Sequence, residues 1–340
     1  MRKRKMRWAV AAALLLLSAS GGGLAPYPDL AGAYGELRAF AEAHPGKVEL
    51  MVGGKSAGGR DLMVVRVHAG DGKARPAALI AGNIHGDEYI GNRAATAAIS
   101  LLLKEDDALA AEALEHFDVY VIPVMNPDGY EATWASNGEG PPAKTRRNAD
   151  GVDLNRNFGK PQGIPLPLGY SGSTKPESTR YTGPEPVSEP ESKMVMALAR
   201  DKRFFAAIDF HASGGIIIPA LADDAFTQRG LRRMANTYRA NQAMPYIIQM
   251  FPYVLPIYQG SMEEGMLREA GTLAVLIELG KSGDMKGGRK KDNYFWDFNP
   301  SDPKIIALVS LDNARAAIAA LIEGFKYTGG KTEPKPVKVK

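Results

Sequence analysis

His85 and Glu88 stand three residues apart in AGNIHGDEYIG (Ala81–Gly91), just after the apolar run Ala77–Ala81 and just before the helix-like run Asn92–Leu103. An imidazole and a carboxylate together suit a borderline cation such as Zn2+. Glycines beside them let backbone lie close to a site, and the end of a strand feeding a helix is where α/β sheets place ligands. A metal centre open to catalysis needs a third protein ligand and one free position. The candidate third ligand is His211 in FAAIDFHASGG, at the end of another apolar strand. Taken alone, HxxE in a chain with 5 histidines is also compatible with a chance pair.

Two further stretches carry chemistry. KTRRNADGVDLNRNF (Lys144–Phe158) places Arg146, Arg147, Asp153, Asn155 and Arg156 within eleven residues, while Val152, Leu154 and Phe158 tie the segment to a core. An arginine beside an asparagine can grip a carboxylate through charge-assisted, bidentate hydrogen bonds. LAVLIEL (Leu273–Leu279) is an apolar strand interrupted by Glu278. Burying that carboxylate costs several kcal/mol unless it is paired or wetted by a site. It is therefore either half of a structural ion pair or the base that a metal-activated water requires.

The elements that must position these groups follow from periodicity. Leu30–His44 has helical spacing, with Leu30, Tyr34, Leu37 and Phe40 on one face, and stops at Pro45-Gly46. Val48–Val52 and Leu62–Val67 alternate as strands around GGKSAGGRD, which lacks the first glycine of a phosphate loop because position 49 is Glu. Val119–Pro123 is a further strand, and helices are expected over Leu101–Glu115, Glu189–Asp201, Leu231–Ala243 and Ala314–Phe325. This alternation argues an α/β fold with a largely parallel sheet. Ala135–Pro142 and Gly159–Pro190 are too long and too rich in Gly and Pro for plain connectors, so they are expected to shape a functional face. His44, His68 and His116 read as surface or core filler, and Trp134, Trp296 and the run Tyr294–Phe298 as loop packing, with a pocket wall as the alternative. Glu189 and Glu191 read as the acidic first turn of a helix.

Residues 1–20 have the form of a secretory signal: Arg2, Lys3, Arg4, Lys5 and Arg7, then the apolar Trp8–Leu17, then Ser18-Ala19-Ser20. The chain is expected to be secreted or periplasmic, with no stable membrane insertion after cleavage. Its net charge of +4 includes +5 from this leader and +3 from Lys331–Lys340, leaving −4 for the body. The sequence pI of 9.0 therefore does not indicate a nucleic-acid partner. With no cysteine, stability must come from the core. Residues 21–330 are expected to form one catalytic domain that starts close behind the leader, leaving no room for a propeptide, and 331–340 a basic disordered tail.

Over roughly Tyr27 to Ala320 the chain resembles the zinc metallocarboxypeptidases (peptidase family M14), of the carboxypeptidase A/B and bacterial carboxypeptidase T kind. The likeness lies in GKSAGGRDL, NIHGDEYIG, MNPDGY, RRNADGVDLNRNF, YTGPEPVSEPES, IDFHA and LIELG. It implies a three-layer α/β/α fold with a central mixed, mostly parallel twisted sheet, and one Zn2+ held by His85, Glu88 and His211. It implies Asp153 as hydrogen-bond acceptor for a ligand histidine, Asn155 and Arg156 as holders of a peptide's free C-terminal carboxylate, and Glu278 as general base. Where digestive-type members begin an RKxR run with the oxyanion arginine, this chain has Ala143, so Arg146 takes that role with Arg147 in reserve. Tyr258 matches the tyrosine that closes over substrate. Met262 matches the specificity position, favouring an apolar or aromatic side chain, whereas Glu263 and Glu264 beside it would suit a basic or diamino-acid one. The expected activity is that of a monomeric zinc metallocarboxypeptidase. Its alternatives are a cell-wall peptide amidase of γ-D-glutamyl-diamino acid type and a binding protein of the same fold without catalysis.

Overall fold

Runs of Val, Ile, Leu and Ala that cannot stay solvated build a sheet buried on both faces, and helices supply its covers. The computed structural model describes residues 23–159, 172–222, 224–249, 260–280 and 294–332. The strands are β1 (Val48–Lys55), β2 (Asp61–Val67), β3 (Ala77–Gly82), β4 (Asp118–Ile122), β5 (Ala206–Ala212), β6 (Ile216–Pro219), β7 (Ile247–Ile248) and β8 (Leu273–Leu279). The helices are α1 (Leu30–Ala43), α2 (Tyr89–Leu102), α3 (Ala108–His116), α4 (Pro127–Ala135), α5 (Pro142–Thr145), α6 (Pro190–Lys202), α7 (Ala225–Ala240), α8 (Met262–Ala270), α9 (Phe295–Phe298) and α10 (Pro303–Thr328).

The sheet runs β1-β2-β4-β3-β5-β8-β6-β7. Its centre, β4-β3-β5-β8, is parallel, while β1, β2 and the β6–β8 pairing are antiparallel. Side chains alternate across it. Ala78 and Ile80 of β3 point into a core shared with α1, α2, α3, α7 and α10, and Leu79 and Ala81 into a second core under α6 and α8. This is the expected three-layer α/β/α fold with a mixed, mostly parallel sheet. Gly91 allows α2 to seat against β5, since a Cβ there would stand 2.6 Å from the Phe210 carbonyl oxygen.

Several boundaries differ from expectation. The helix expected over Leu101–Glu115 is two helices, because Asp107 caps a new one by accepting from the Leu109 and Ala110 amides. The helix expected from Leu231 starts at Ala225, where Asp224 supplies the same cap, and ends at Ala240. That expected over Ala314–Phe325 is the core of the much longer α10. MNPDGY opens α4, with the Asn126 side chain accepting from the Gly129 amide. Glu189 and Glu191 do more than favour a helix dipole: both are buried, and the Asn148 amide donates to each carboxylate. The turn between β1 and β2 is pinned rather than open. Asp128 accepts there from Ser56 Oγ, the Gly58 amide and Arg60. The leader (1–20), Tyr258 and positions 333–340 of the tail lie outside the described residues.

Candidate metal centre

Three adjacent parallel strands end at one place, and each delivers a group there. His85 and Glu88 follow β3, His211 closes β5, and Glu278 closes β8 directly beside it in register. His85 Nδ1 lies 2.7 Å from Glu88 Oε1, His211 Nδ1 lies 3.1 Å from Glu88 Oε2, and the two Nδ1 atoms are 3.2 Å apart. A tetrahedral Zn2+ with bonds of about 2.0–2.1 Å separates its donors by about 3.3 Å. The three buried donors thus stand at the separations such an ion needs, and two imidazoles with a carboxylate are its donor chemistry.

Each outward nitrogen faces a carboxylate. His85 Nε2 is 3.3 Å from Asp153 Oδ1, and His211 Nε2 is 3.0 Å from Asp209 Oδ2. A carboxylate behind each imidazole directs the Nδ1 lone pairs inward. Burial would raise the Glu88 carboxyl, but His85 and His211 outweigh it and hold it well below the usual carboxylate range. The Ala212 amide donates to Glu88 Oε2 and fixes the rotamer. Burial likewise opposes ionisation of Asp153, yet Arg146 and His85 keep it well below its ordinary value.

Glu88 also occupies the N-cap position just before α2, but its side chain makes no cap because it turns to the centre. Asn299 caps the helix from across the chain. Its Oδ1 accepts from the Ile90 amide at 2.9 Å, and its Nδ2 donates to the Asp87 carbonyl at 2.7 Å. The two bonds bracket Glu88.

A cavity of ≈ 310 Å³ opens over these groups, with His85, Glu88, His211 and Glu278 on its wall together with Arg146, Asn155, Arg156 and Arg180. Burial pushes Glu278 up to about 7, against the pull of His211. Arg146 Nε and Nη2 donate to Asp153 Oδ2, leaving Nη1 on the cavity side, 3.9 Å from Glu88 Oε1. Its neighbour Arg147 turns away, donating to the carbonyls of Ala143, Pro176 and Ser178. Asn155 Oδ1 accepts from the Met262 amide, and Arg156 Nη1 donates to the Asn155 carbonyl.

The structure thus brings together His85, Glu88, His211, Asp153, Arg146, Asn155, Arg156 and Glu278. Met262 does not join them. Its side chain is fully buried in the core with Leu154 and Phe158, because α8 turns that face inward, and only its amide serves the site. Of the aromatic run, Phe295 and Trp296 pack on the core as expected, whereas Tyr294 and Phe298 line the cavity. Sequence reasoning missed Asp209, Arg180 and Asn299. Asp209 had a signal, since it sits two residues before His211 on one strand face.

Known proteins resemble this chain in sequence and in fold. The family model described as zinc carboxypeptidase matches residues 33–285. Zinc carboxypeptidase A 1 of Drosophila melanogaster is 35% identical over 173 residues, covering 49% of this chain and 39% of that protein. An inactive metallocarboxypeptidase of Blastomyces gilchristii is 30% identical over 194 residues, covering 52% of this chain and 31% of that one. The chain therefore spans well under two thirds of these relatives' length. The crystal structure of carboxypeptidase A from Helicoverpa armigera superposes with a TM-score of 0.70 at 22% identity, over 88% of this chain and 74% of that chain, a likeness of fold.

Proposed function

The chain belongs to the zinc carboxypeptidase family, and from that premise we propose that it is an exported zinc-dependent hydrolase removing C-terminal residues from peptides. One observation carries the reading: three buried donors at zinc spacing share a cavity with an opposed carboxylate, Glu278, and with Asn155 and Arg156. Bound by His85, Glu88 and His211, zinc would supply Lewis acidity at the scissile carbonyl.

The chain's own residues do the rest. Arg156 and Asn155 hold the substrate's terminal carboxylate, which selects the last peptide bond. Glu278 takes the proton of the attacking water and passes it to the leaving amine. Arg146, braced on Asp153, turns Nη1 to charge that develops only in the transition state, an interaction that lowers the barrier rather than KM alone. Residues 1–20 export the chain, and 21–330 act as one monomeric catalytic unit.

Glu278→Gln tests this reading. It preserves volume, so the zinc-loaded variant should keep about one zinc per chain while hydrolysis of C-terminally free peptides falls about 10²–10⁴-fold. Loss of zinc with activity would make Glu278 a ligand. For the zinc-loaded wild type, cleavage of diaminopimelate-capped peptides alone would indicate the cell-wall amidase, and no cleavage of any peptide a binding protein.

A further inference from the structure

We propose that the outer face of α7 docks the protein on an anionic lipid surface. The inference rests on the export proposed above and not on the reaction, and its test reads binding alone. In AFTQRGLRRMANTYRA (Ala225–Ala240) Leu231, Met234, Ala235 and Tyr238 recur at helical spacing and are buried against the sheet and α10. The opposite face holds Arg229, Arg232, Arg233 and Arg239, all exposed, and the helix contains no Asp or Glu. At about 100° per residue the four fall within an arc of about 120°. Outside the leader and the tail the chain carries −4, so these cations are charge gathered on one face of an acidic body.

The acids near this face are committed elsewhere. Asp224 caps the helix by accepting from the Phe226 and Thr227 amides, Asp312 accepts from the Ala243 amide, and Glu323 pairs with Arg233. Arg229, Arg232 and Arg239 make no ion pair or hydrogen bond with any described residue. Charge alone would suit any polyanion, but apolar side chains beside it favour lipid. Leu221 is 40% and Phe226 48% exposed at the end where α7 begins, where they can enter the acyl boundary beneath headgroups that meet the arginines. The basic tail leaves the fold at the same end. Tyr327 Oη donates to the Phe226 carbonyl, and the exposed Lys331 opens a stretch whose sequence adds Lys335, Lys338 and Lys340.

The test sediments the exported chain, freed of residues 1–20 because a basic, apolar leader would bind lipid by itself, with phosphatidylcholine vesicles containing about one third phosphatidylglycerol. The protein should partition onto these and not onto pure phosphatidylcholine, and about 0.5 M salt should release it. Each cation near such a surface is worth about fivefold in partitioning, so Arg229→Gln/Arg232→Gln/Arg239→Gln should lower it about a hundredfold. Arg229→Lys/Arg232→Lys/Arg239→Lys keeps the charge and should stay within about threefold of the wild type. Leu221→Ser should cost about threefold through lost apolar contact. No partitioning onto the phosphatidylglycerol vesicles overturns the proposal. Partitioning untouched by the first triple variant also overturns it and assigns the binding to the tail. Equal affinity for a DNA duplex overturns lipid as the partner. Should the first triple variant lose its fold by circular dichroism, Arg232→Gln/Arg239→Gln replaces it with a loss of about 25-fold expected, and unchanged partitioning again overturns the proposal.

Discussion

Replacing Asn299 with alanine should damage metal binding from the far end of the chain. The side chain is fully buried and its amide reaches three backbone groups: the Ile90 N–H and the carbonyls of Asp87 and Phe295. Ile90 lies in the first turn of α2, where helix amides have no partner within the helix. Removing the cap strands that donor and the Asp87 carbonyl in a dry interior. At about 1–3 kcal/mol for each buried group left unsatisfied, partly relieved by water entering the gap, Asn299→Ala should cost about 2–5 kcal/mol of stability. Glu88 stands between the two freed groups, so its rotamer loosens and zinc affinity should drop about 10–100-fold, as when an outer partner of a metal ligand is lost. Urea unfolding of the metal-free protein measures the first effect, and competition against a chromophoric chelator the second. Lowered stability with zinc affinity unchanged within about twofold would refute the reasoning. Asn299 would then merely fasten α9 to the core.

Three other perturbations give distinct outcomes. Burial raises Glu191 from 4.5 to about 7, so the folded state binds that proton more tightly than the unfolded one. Stability from this group is complete below pH 4.5 and lost as pH rises to about 7; Glu191→Gln should flatten that slope and stabilise the protein at pH 8 by about 1–3 kcal/mol, read by urea unfolding at both pH values. Asp209→Asn should weaken zinc about 10–100-fold with the fold retained, measured by chelator competition. Chelation should abolish peptide hydrolysis and remove the stabilisation that bound metal gives, about 2.7 kcal/mol at a hundredfold excess over Kd; a melting temperature indifferent to zinc would contradict a resident metal.

Much of the centre was readable because its residues sit at chain positions with a local signature. His85 and Glu88 flank a strand-to-helix junction, and His211 and Glu278 interrupt apolar strands, so burial forces each to have a purpose. The layers were readable for the same reason, from runs too apolar to face water. What escaped depends on contacts between distant segments. Asn299 and Ile90 meet across 209 residues, and no periodicity records such a pairing. Arg146 and Arg147 are neighbours with the same chemistry, and only the backbone path after α5 sends one to Asp153 and the other to the 176–178 loop. Met262 matched a pocket position in sequence, but α8 rotates it into the core, and a helix missed in sequence leaves its facing unknown.

The register that sets His211 beside Glu278 reaches beyond the reaction. These residues come from strands that pair in parallel, and His85 is 126 residues from His211. Pairings of such range form late and slowly during folding. An ion held by His85, Glu88 and His211 would therefore meet a socket already built by the sheet and would not nucleate the chain around itself. Refolding from denaturant in a chelator should yield a native-like protein that regains activity on adding zinc within mixing time, without a second folding phase.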